Sequence, residues 1–303
     1  MTTPSLDPRT TIQWVSLTVS SLQMSSRFYK QVMGLSSLYE WEGGQALGTP
    51  PKNTLVILVE KKGTMPKPPD RRGLYHFALL LPSRKDLARM FVRLGEYWEL
   101  EGASDHLVSE AVYLRDPDGH GIEVYHDRAR EAWPRTADGR IRMATLPLNL
   151  DSLLAELRGE GTGKALDESW RLGTGARLGH IHLHVSRLEK AESFYHRLLG
   201  FDIVFRMGSA LFMSTGGYHH HIGVNTWVGV DAPPPSDEHA SLRSFAINVV
   251  RRETLSRLAD RLVGEGCSVH EGLASGVPGF EGATVEDFDG NVVELVLSTG
   301  DQD

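Results

Sequence analysis

The chain repeats itself, and that constrains its fold more than any other feature. Residues Trp14 to Leu35 align without a gap onto His180 to Phe201 at one constant offset. Val15, Leu17, Val19 and Ser20 fall on Ile181, Leu183, Val185 and Ser186, Phe28-Tyr29 on Phe194-Tyr195, and Gly34 on Gly200. Each copy reads as a strand, then an amphipathic helix with apolar residues three and four apart, stopped by glycine. Further on, Leu74-Tyr75-His76-Phe77-Ala78-Leu79 matches Leu242-Arg243-Ser244-Phe245-Ala246-Ile247, and Leu87 and Leu94 of the next helical stretch fall on Leu255 and Leu262. Asp116-Pro117-Asp118-Gly119 and Asp287-Phe288-Asp289-Gly290 read as matching tight turns into last strands that carry Glu123 and Glu294. Each half, 10–128 and 178–299, therefore holds two strand–helix–strands units. Four such units make an α+β protein, and duplication of this kind is a fold-level signal. Between the halves, 129–177 is charged and Gly-rich around one short helical candidate, Leu150 to Leu157, and reads as a linker packed over the surface.

The second half carries the chemistry most densely. In Gly179-His180-Ile181-His182-Leu183-His184-Val185, histidine alternates with aliphatic residues, so a strand places His180, His182 and His184 on one face and buries the others. Some thirty residues on, Tyr218-His219-His220-His221-Ile222-Gly223-Val224-Asn225 also reads as a strand. Its parity puts His219, His221 and Asn225 on one face and His220 with Ile222 and Val224 on the other. A single such histidine is most simply a solvated polar residue. Five imidazoles on matching faces point to metal binding or proton transfer.

Composition narrows the function classes. A net charge of −7 over 303 residues, with no dense Lys/Arg block, argues against nucleic acid or an anionic membrane as partner. No apolar run approaches the roughly 20 residues that span a bilayer. Met1 to Thr10 lacks a basic stretch followed by an apolar one, so no signal peptide and a cytoplasmic location are expected. The single cysteine, Cys267, cannot form an internal disulfide, and any metal site must be built from His and carboxylates.

With these motifs in view, the chain resembles the vicinal oxygen chelate superfamily, whose unit is a βαβββ module that pairs with another around a metal. Asp105-His106 through Tyr113 to Glu123, with its His-x6-Tyr-x9-Glu spacing, and the His-rich second half resemble bacterial four-module catechol 2,3-dioxygenases, type I extradiol enzymes. Ser104 departs from that pattern, which has Gly or a similar residue there. The resemblance implies metal ligands on first and last strands of modules. The first-strand positions are Trp14, His76, His180 and Ser244; the last strands offer Glu123, the His219–His221 run and Glu294. Neither half is complete, but the middle modules complement each other. His76, Glu123 and His180 make two histidines and one carboxylate, a set that suits Fe(2+), with Mn(2+) also admissible. The competing placement uses His180, His221 and Glu294. The resemblance further implies an acid–base histidine from the His219–His221 run, which parity assigns to His221, with His219 beside it and His220 structural. It also implies a hydrogen-bonding Tyr113 and a substrate-orienting His106. His182 and His184 would line the cavity or support it, as would Asn225 and Trp227, while His126, His239 and His270 read as surface residues. The expected reaction is extradiol cleavage of a catechol with O2 to a muconic semialdehyde, by an enzyme that family habit would make a homo-oligomer. A glyoxalase-type isomerase, whose site adds a second carboxylate, and a metal-free binding protein are the alternatives.

Overall fold

The computed structural model describes residues 6–298. Met1 to Ser5, the start of the stretch read for a leader, and residue 299, the expected end of the second half, lie outside them. The first unit runs β1 (Thr11–Val19), α1 (Leu22–Arg27, continued by a π-helical turn Phe28–Val32), β2 (Ser36–Trp41), β3 (Gly44–Thr49) and β4 (Asn53–Glu60). The second runs β5 (Gly73–Leu80), α2 (Arg84–Tyr97), β6 (Gly102–Asp105), β7 (Ser109–Arg115) and β8 (Gly121–Asp127). The segment between halves contributes β9 (Leu146–Pro147), α3 (Leu150–Leu154) and α4 (Gly163–Leu166). The third unit runs β10 (Arg177–His184), α5 (Leu188–Ala191, continued by a π-helical turn Glu192–Leu198), β11 (Asp202–Met207), β12 (Ala210–Ser214) and β13 (Ile222–Asn225). The fourth runs β14 (Leu242–Asn248), α6 (Arg252–Gly264), β15 (Val269–Glu271), β16 (Phe280–Glu286) and β17 (Val292–Ser298). This is the fourfold βαβββ repeat expected from the sequence.

The units do not pair along the chain. One sheet, ordered β11-β12-β13-β10-β5-β8-β7-β6-β9, joins the second and third units; the other, β15-β16-β17-β14-β1-β4-β3-β2, joins the first and fourth. Each sheet is sealed at its centre by two antiparallel first strands, β10 on β5 and β1 on β14. β1 and β10 are buried almost throughout on both faces, although β10 alternates histidine with aliphatic residues.

The two sheets share one hydrophobic core, in which Val15, Leu17 and Phe245 of one are buried with Phe77, Ile181 and Leu183 of the other, and the matching Asp-rich turns add polar contacts between them. Asp118 accepts from the Ser20 backbone N–H at 3.0 Å and from Ser25 Oγ at 3.0 Å, while Asp116 Oδ2 accepts from Tyr29 Oη at 3.0 Å. In the other half, Asp289 accepts from the Ser186 N–H at 2.8 Å and from Ser186 Oγ, and Asp287 from Tyr195 Oη at 2.7 Å. Sheets thus join units across the halves, and turns join units within each half. The four units close into a ring.

The two sheets use equivalent faces differently. In the first-and-fourth sheet, Trp14, Ala46, Ile57, Ala246, Val277 and Val296 pack as a dry cluster, with Trp14 edge-on to Phe280 at 4.8 Å. Glu294 is fully buried there, accepting from Ser244 Oγ and from Ser275 Oγ at 2.6 Å. The other sheet keeps its face polar around a cavity.

The segment between halves covers α2. Arg93, fully buried, donates from Nη1 to the carbonyls of Ala165 at 2.8 Å and Asp167 at 3.0 Å, and from Nε to Val32 at 3.0 Å. With Nη2 donating to the Gln31 carbonyl as well, four carbonyl-directed donors on a planar guanidinium let that charge sit in the interior. Among the described residues, no helix is long and apolar enough to cross a membrane.

Candidate metal centre and its cavity

The centre is a row of side chains across four adjacent strands. On β10, His180 lies opposite Ala78 of β5; Ala78 is level with Glu123 of β8, and Glu123 lies opposite Tyr113 of β7. His76, two residues before Ala78, shares its face. Ala78 contributes only a methyl group between His180 and Glu123, which leaves room for an ion. Behind the row, the backbone is close: a Cβ on Gly121 would lie 2.1 Å from the Tyr75 carbonyl, so only glycine lets β8 approach β5 there.

One ligand atom each from His76, Glu123 and His180 lies within 4.8 Å of the others, and all three residues are buried. Nε2 of each histidine is 3.2 Å from Glu123 Oε2, yet His76 Nε2 has no hydrogen-bond partner. An orphaned buried nitrogen aimed at a shared carboxylate is costly without an ion. Burial works against the charge of Glu123, but His180 and His76 hold its carboxyl well below the usual carboxylate range. Burial pushes His180 down to about 4. One carboxylate and neutral imidazole is the protonation that a divalent metal requires, and the set fits one. Glu294, from the competing placement, lies in the other sheet.

The His219–His221 run differs from its expected strand. Gly216 and Gly217, with φ of +62° and +67°, make a turn, and β13 begins only at Ile222. Side-chain alternation therefore does not extend back through the three histidines. This corrects the assignment of His221 to the cavity: its Nδ1 meets Ser214 Oγ at 2.9 Å, and its ring packs on Tyr218 at 4.9 Å. His220 faces the cavity instead, its ring centroid 4.0 Å from that of His180, and it is not the helix-facing residue parity implies. His219 lines the cavity beside it. His219 Nε2 lies 2.9 Å from Asp127 Oδ1, and its Nδ1 lies 2.9 Å from His220 Nδ1. A carboxylate only accepts, so His219 donates from Nε2, and in the tautomer that carries its one proton there Nδ1 is left to accept. His220 then carries its proton on Nδ1 and leaves Nε2 as a lone pair toward the cavity.

On the opposite wall, His106 Nδ1 donates to the Ala144 carbonyl at 2.8 Å, so Nε2 accepts from Tyr113 Oη at 2.6 Å. Burial and then the Glu123 charge raise the Tyr113 phenol well above its ordinary value, so it stays a donor. His182 lines the cavity, and Asn225 holds it: Asn225 Nδ2 donates to His182 Nε2 at 2.9 Å, while its Oδ1 accepts from His184 Nδ1 at 2.7 Å. Trp227 lines the mouth. His126 and His239 are half-buried and His270 is exposed; none joins the cavity. The cavity measures about 540 Å3, ample for a small aromatic ligand. Its wall includes Met143, Ala144 and Thr145 of the segment read as a surface linker. Ala78, Asp127 and the Ala144 carbonyl were not singled out from sequence as parts of the site, and of these only Ala78, matched in the repeat by Ala246, had a visible signal; His220 belonged to the run expected to supply the acid–base histidine, but parity gave it a structural place.

The family model of the Glyoxalase/Bleomycin resistance protein/Dioxygenase superfamily matches residues 11–124 and 177–295. A catechol-2,3-dioxygenase from Bacillus subtilis (strain 168) is 41% identical over 270 residues, covering 88% of this chain and 92% of that protein. Among solved structures, a putative dioxygenase from Bacillus subtilis subsp. subtilis str. 168 superposes with a TM-score of 0.63 at 13% identity, covering 95% of this chain and 85% of the other. Glyoxalase I from Zea mays superposes with a TM-score of 0.55 at 16% identity, covering 95% and 92%; at such identities the likeness is one of fold. With the matched segments spanning both halves, the chain belongs to the Glyoxalase/Bleomycin resistance protein/Dioxygenase superfamily and resembles its four-module catechol 2,3-dioxygenases.

Proposed function

We propose that the chain is an Fe(II)-dependent extradiol dioxygenase that opens the ring of a catechol with O2 to give a muconic semialdehyde, a step in aromatic-compound breakdown. The observation that carries this reading is the buried His76–Glu123–His180 set at the base of a cavity whose other polar walls are proton carriers. Bound there, Fe(II) would supply open coordination positions for a substrate and O2. The chain's own residues supply the rest. His220, with Nε2 free toward the cavity, is placed to take a proton from a catechol hydroxyl and return it later. Tyr113 points its one hydroxyl proton at His106 Nε2, which the Ala144 carbonyl fixes in place, so the pair hands that proton to a ligand beside Glu123 only when the hydroxyl rotates. A glyoxalase-type site adds a second carboxylate; among the described residues the cluster holds one.

The test is anaerobic loading with Fe(II), followed by catechol and air. A yellow ring-cleavage product absorbing in the near-visible is expected from the native chain and not from Glu123→Ala. Turnover of a hemithioacetal with Ni(II) or Zn(II), without any ring cleavage under Fe(II), would overturn the reading.

A further inference from the structure

An apolar track leads out of the cavity on the side of the third unit. It starts at His182 and His220, whose rings lie 5.1 Å from His76 and 4.0 Å from His180. Phe212 of β12 spans both, at 5.5 Å from His182 and 5.1 Å from His220. Phe205, its cross-strand partner on β11, stands 6.1 Å farther along, and Trp227 lies 5.4 Å from His182. Met207 and Trp227, 52% and 48% exposed, form the outer end. Strand alternation puts Phe205 and Met207 on the cavity side, while Arg206 between them turns away to pair with Glu192. The one arginine on the cavity wall, Arg115, is already committed to Glu101 at 2.7 Å and to the Gly119 carbonyl at 3.0 Å. Large apolar side chains left half in water at a cavity mouth mark a place where a ligand completes the packing.

We propose that this track is a subsite for an uncharged apolar substituent on the catechol ring, an alkyl chain or an aryl group, and that the preferred substrates are substituted rather than bare catechols. The proposal rests on the ring-cleavage reading of the cavity. A substituent lying along Phe212 and Phe205 and ending under Met207 and Trp227 gives up its hydration as it binds. A substituent ending in a carboxylate would be dehydrated against Phe205, Phe212, Met207 and Trp227, none of which can pair with its charge.

The experiment is a series of catechol and its 3- and 4-methyl, ethyl and propyl derivatives, with 3,4-dihydroxyphenylacetate as the charged member. kcat/KM is measured in air, and affinity by anaerobic calorimetry on the Fe(II)-loaded protein. For one ring position, each added methylene is expected to raise both by roughly two- to four-fold, with the charged member below the ethyl compound of similar length. Met207→Ser, at an exposed position where folding is not at stake, and Phe205→Ser are each expected to flatten the gradient. A flat or falling series, a preference for the carboxylate, or a gradient unchanged in both variants overturns the proposal. Cleavage of catechol without a gradient removes the track and leaves the ring-cleavage reading. Binding with the gradient but no cleavage under any metal loading does the reverse.

Discussion

At the scale of single residues, the candidate site depends on which way a few imidazoles point. His76, Glu123 and His180 could be named together in the sequence because the resemblance puts ligands on the first and last strands of modules and the internal repeat locates those strands; the fold brings the three side chains together. His220 was not legible as a cavity residue, because Gly216-Gly217 ends the regular alternation just upstream, and parity cannot be counted through a turn. Its partner Asp127 lies 92 residues before His219, a pairing no local pattern reveals. The hydrogen-bonded line Asp127–His219–His220 orients the lone pair on His220, so Asp127 is a positioning residue. Asp127→Asn keeps the shape but lets an amide N–H face His219, favouring the reversed tautomers along the line. We expect kcat to fall on the order of 10²-fold with KM within about three-fold, and Asp127→Glu to recover part of the loss. Steady-state kinetics on the Fe(II)-loaded enzyme checks this. An unchanged kcat, or a proportional loss of kcat and folded protein in both variants, would count against a positioning role.

At the scale of elements, the Asp-x-Asp-Gly turns read in sequence only as hairpin punctuation. They also clasp the two sheets, and this explains why Tyr29 and Tyr195 match in the repeat: each donates its hydroxyl to the first aspartate of a turn. The clasps differ in the residue that follows the glycine, among other positions. In the first, His120 Nδ1 pairs with Asp116 at 2.9 Å; in the second, Asn291 Nδ2 donates to Asp287 at 2.9 Å. Burial opposes both charges of the first pair, but each partner outweighs it, holding Asp116 below and His120 above its ordinary value. The stability that Asp116 contributes is therefore present above about pH 4 and lost as pH falls. That from His120 is complete below about pH 6.5 and lost as pH rises through its raised folded value. His120→Asn, copying the second clasp, should abolish the His120 part. The melting temperature of the native chain should fall relative to this variant as pH rises above about 6.5, by on the order of 2–4 °C for each 1 kcal/mol lost. A difference between the two that does not vary from pH 5 to 9 would contradict the charged clasp.

At the scale of the whole molecule, the fourfold repeat was legible because duplication leaves matched apolar positions and glycines. The cross-pairing of the units was one of two placements open in the sequence: the resemblance favoured His76, Glu123 and His180 from the inner units, with His180, His221 and Glu294 competing, and the sheet order joins the second and third units. The dry face around Trp14 and the polar face around His180 are two uses of one module, chosen by a few substitutions. What the sequence hid was the segment between halves. Its low complexity suggested a cover, yet Arg93 draws it onto α2, β9 adds to the sheet edge beside β6, and Ala144 reaches His106. Those contacts depend on tertiary closure and leave no periodic trace. The central claim, one metal centre built jointly by both halves, is tested most directly by iron stoichiometry after anaerobic reconstitution and desalting. The native chain should retain one Fe(II), and His76→Ala in the first half and His180→Ala in the second should each lose it while remaining folded. Full retention of iron by His76→Ala, or two irons per native chain, would contradict it.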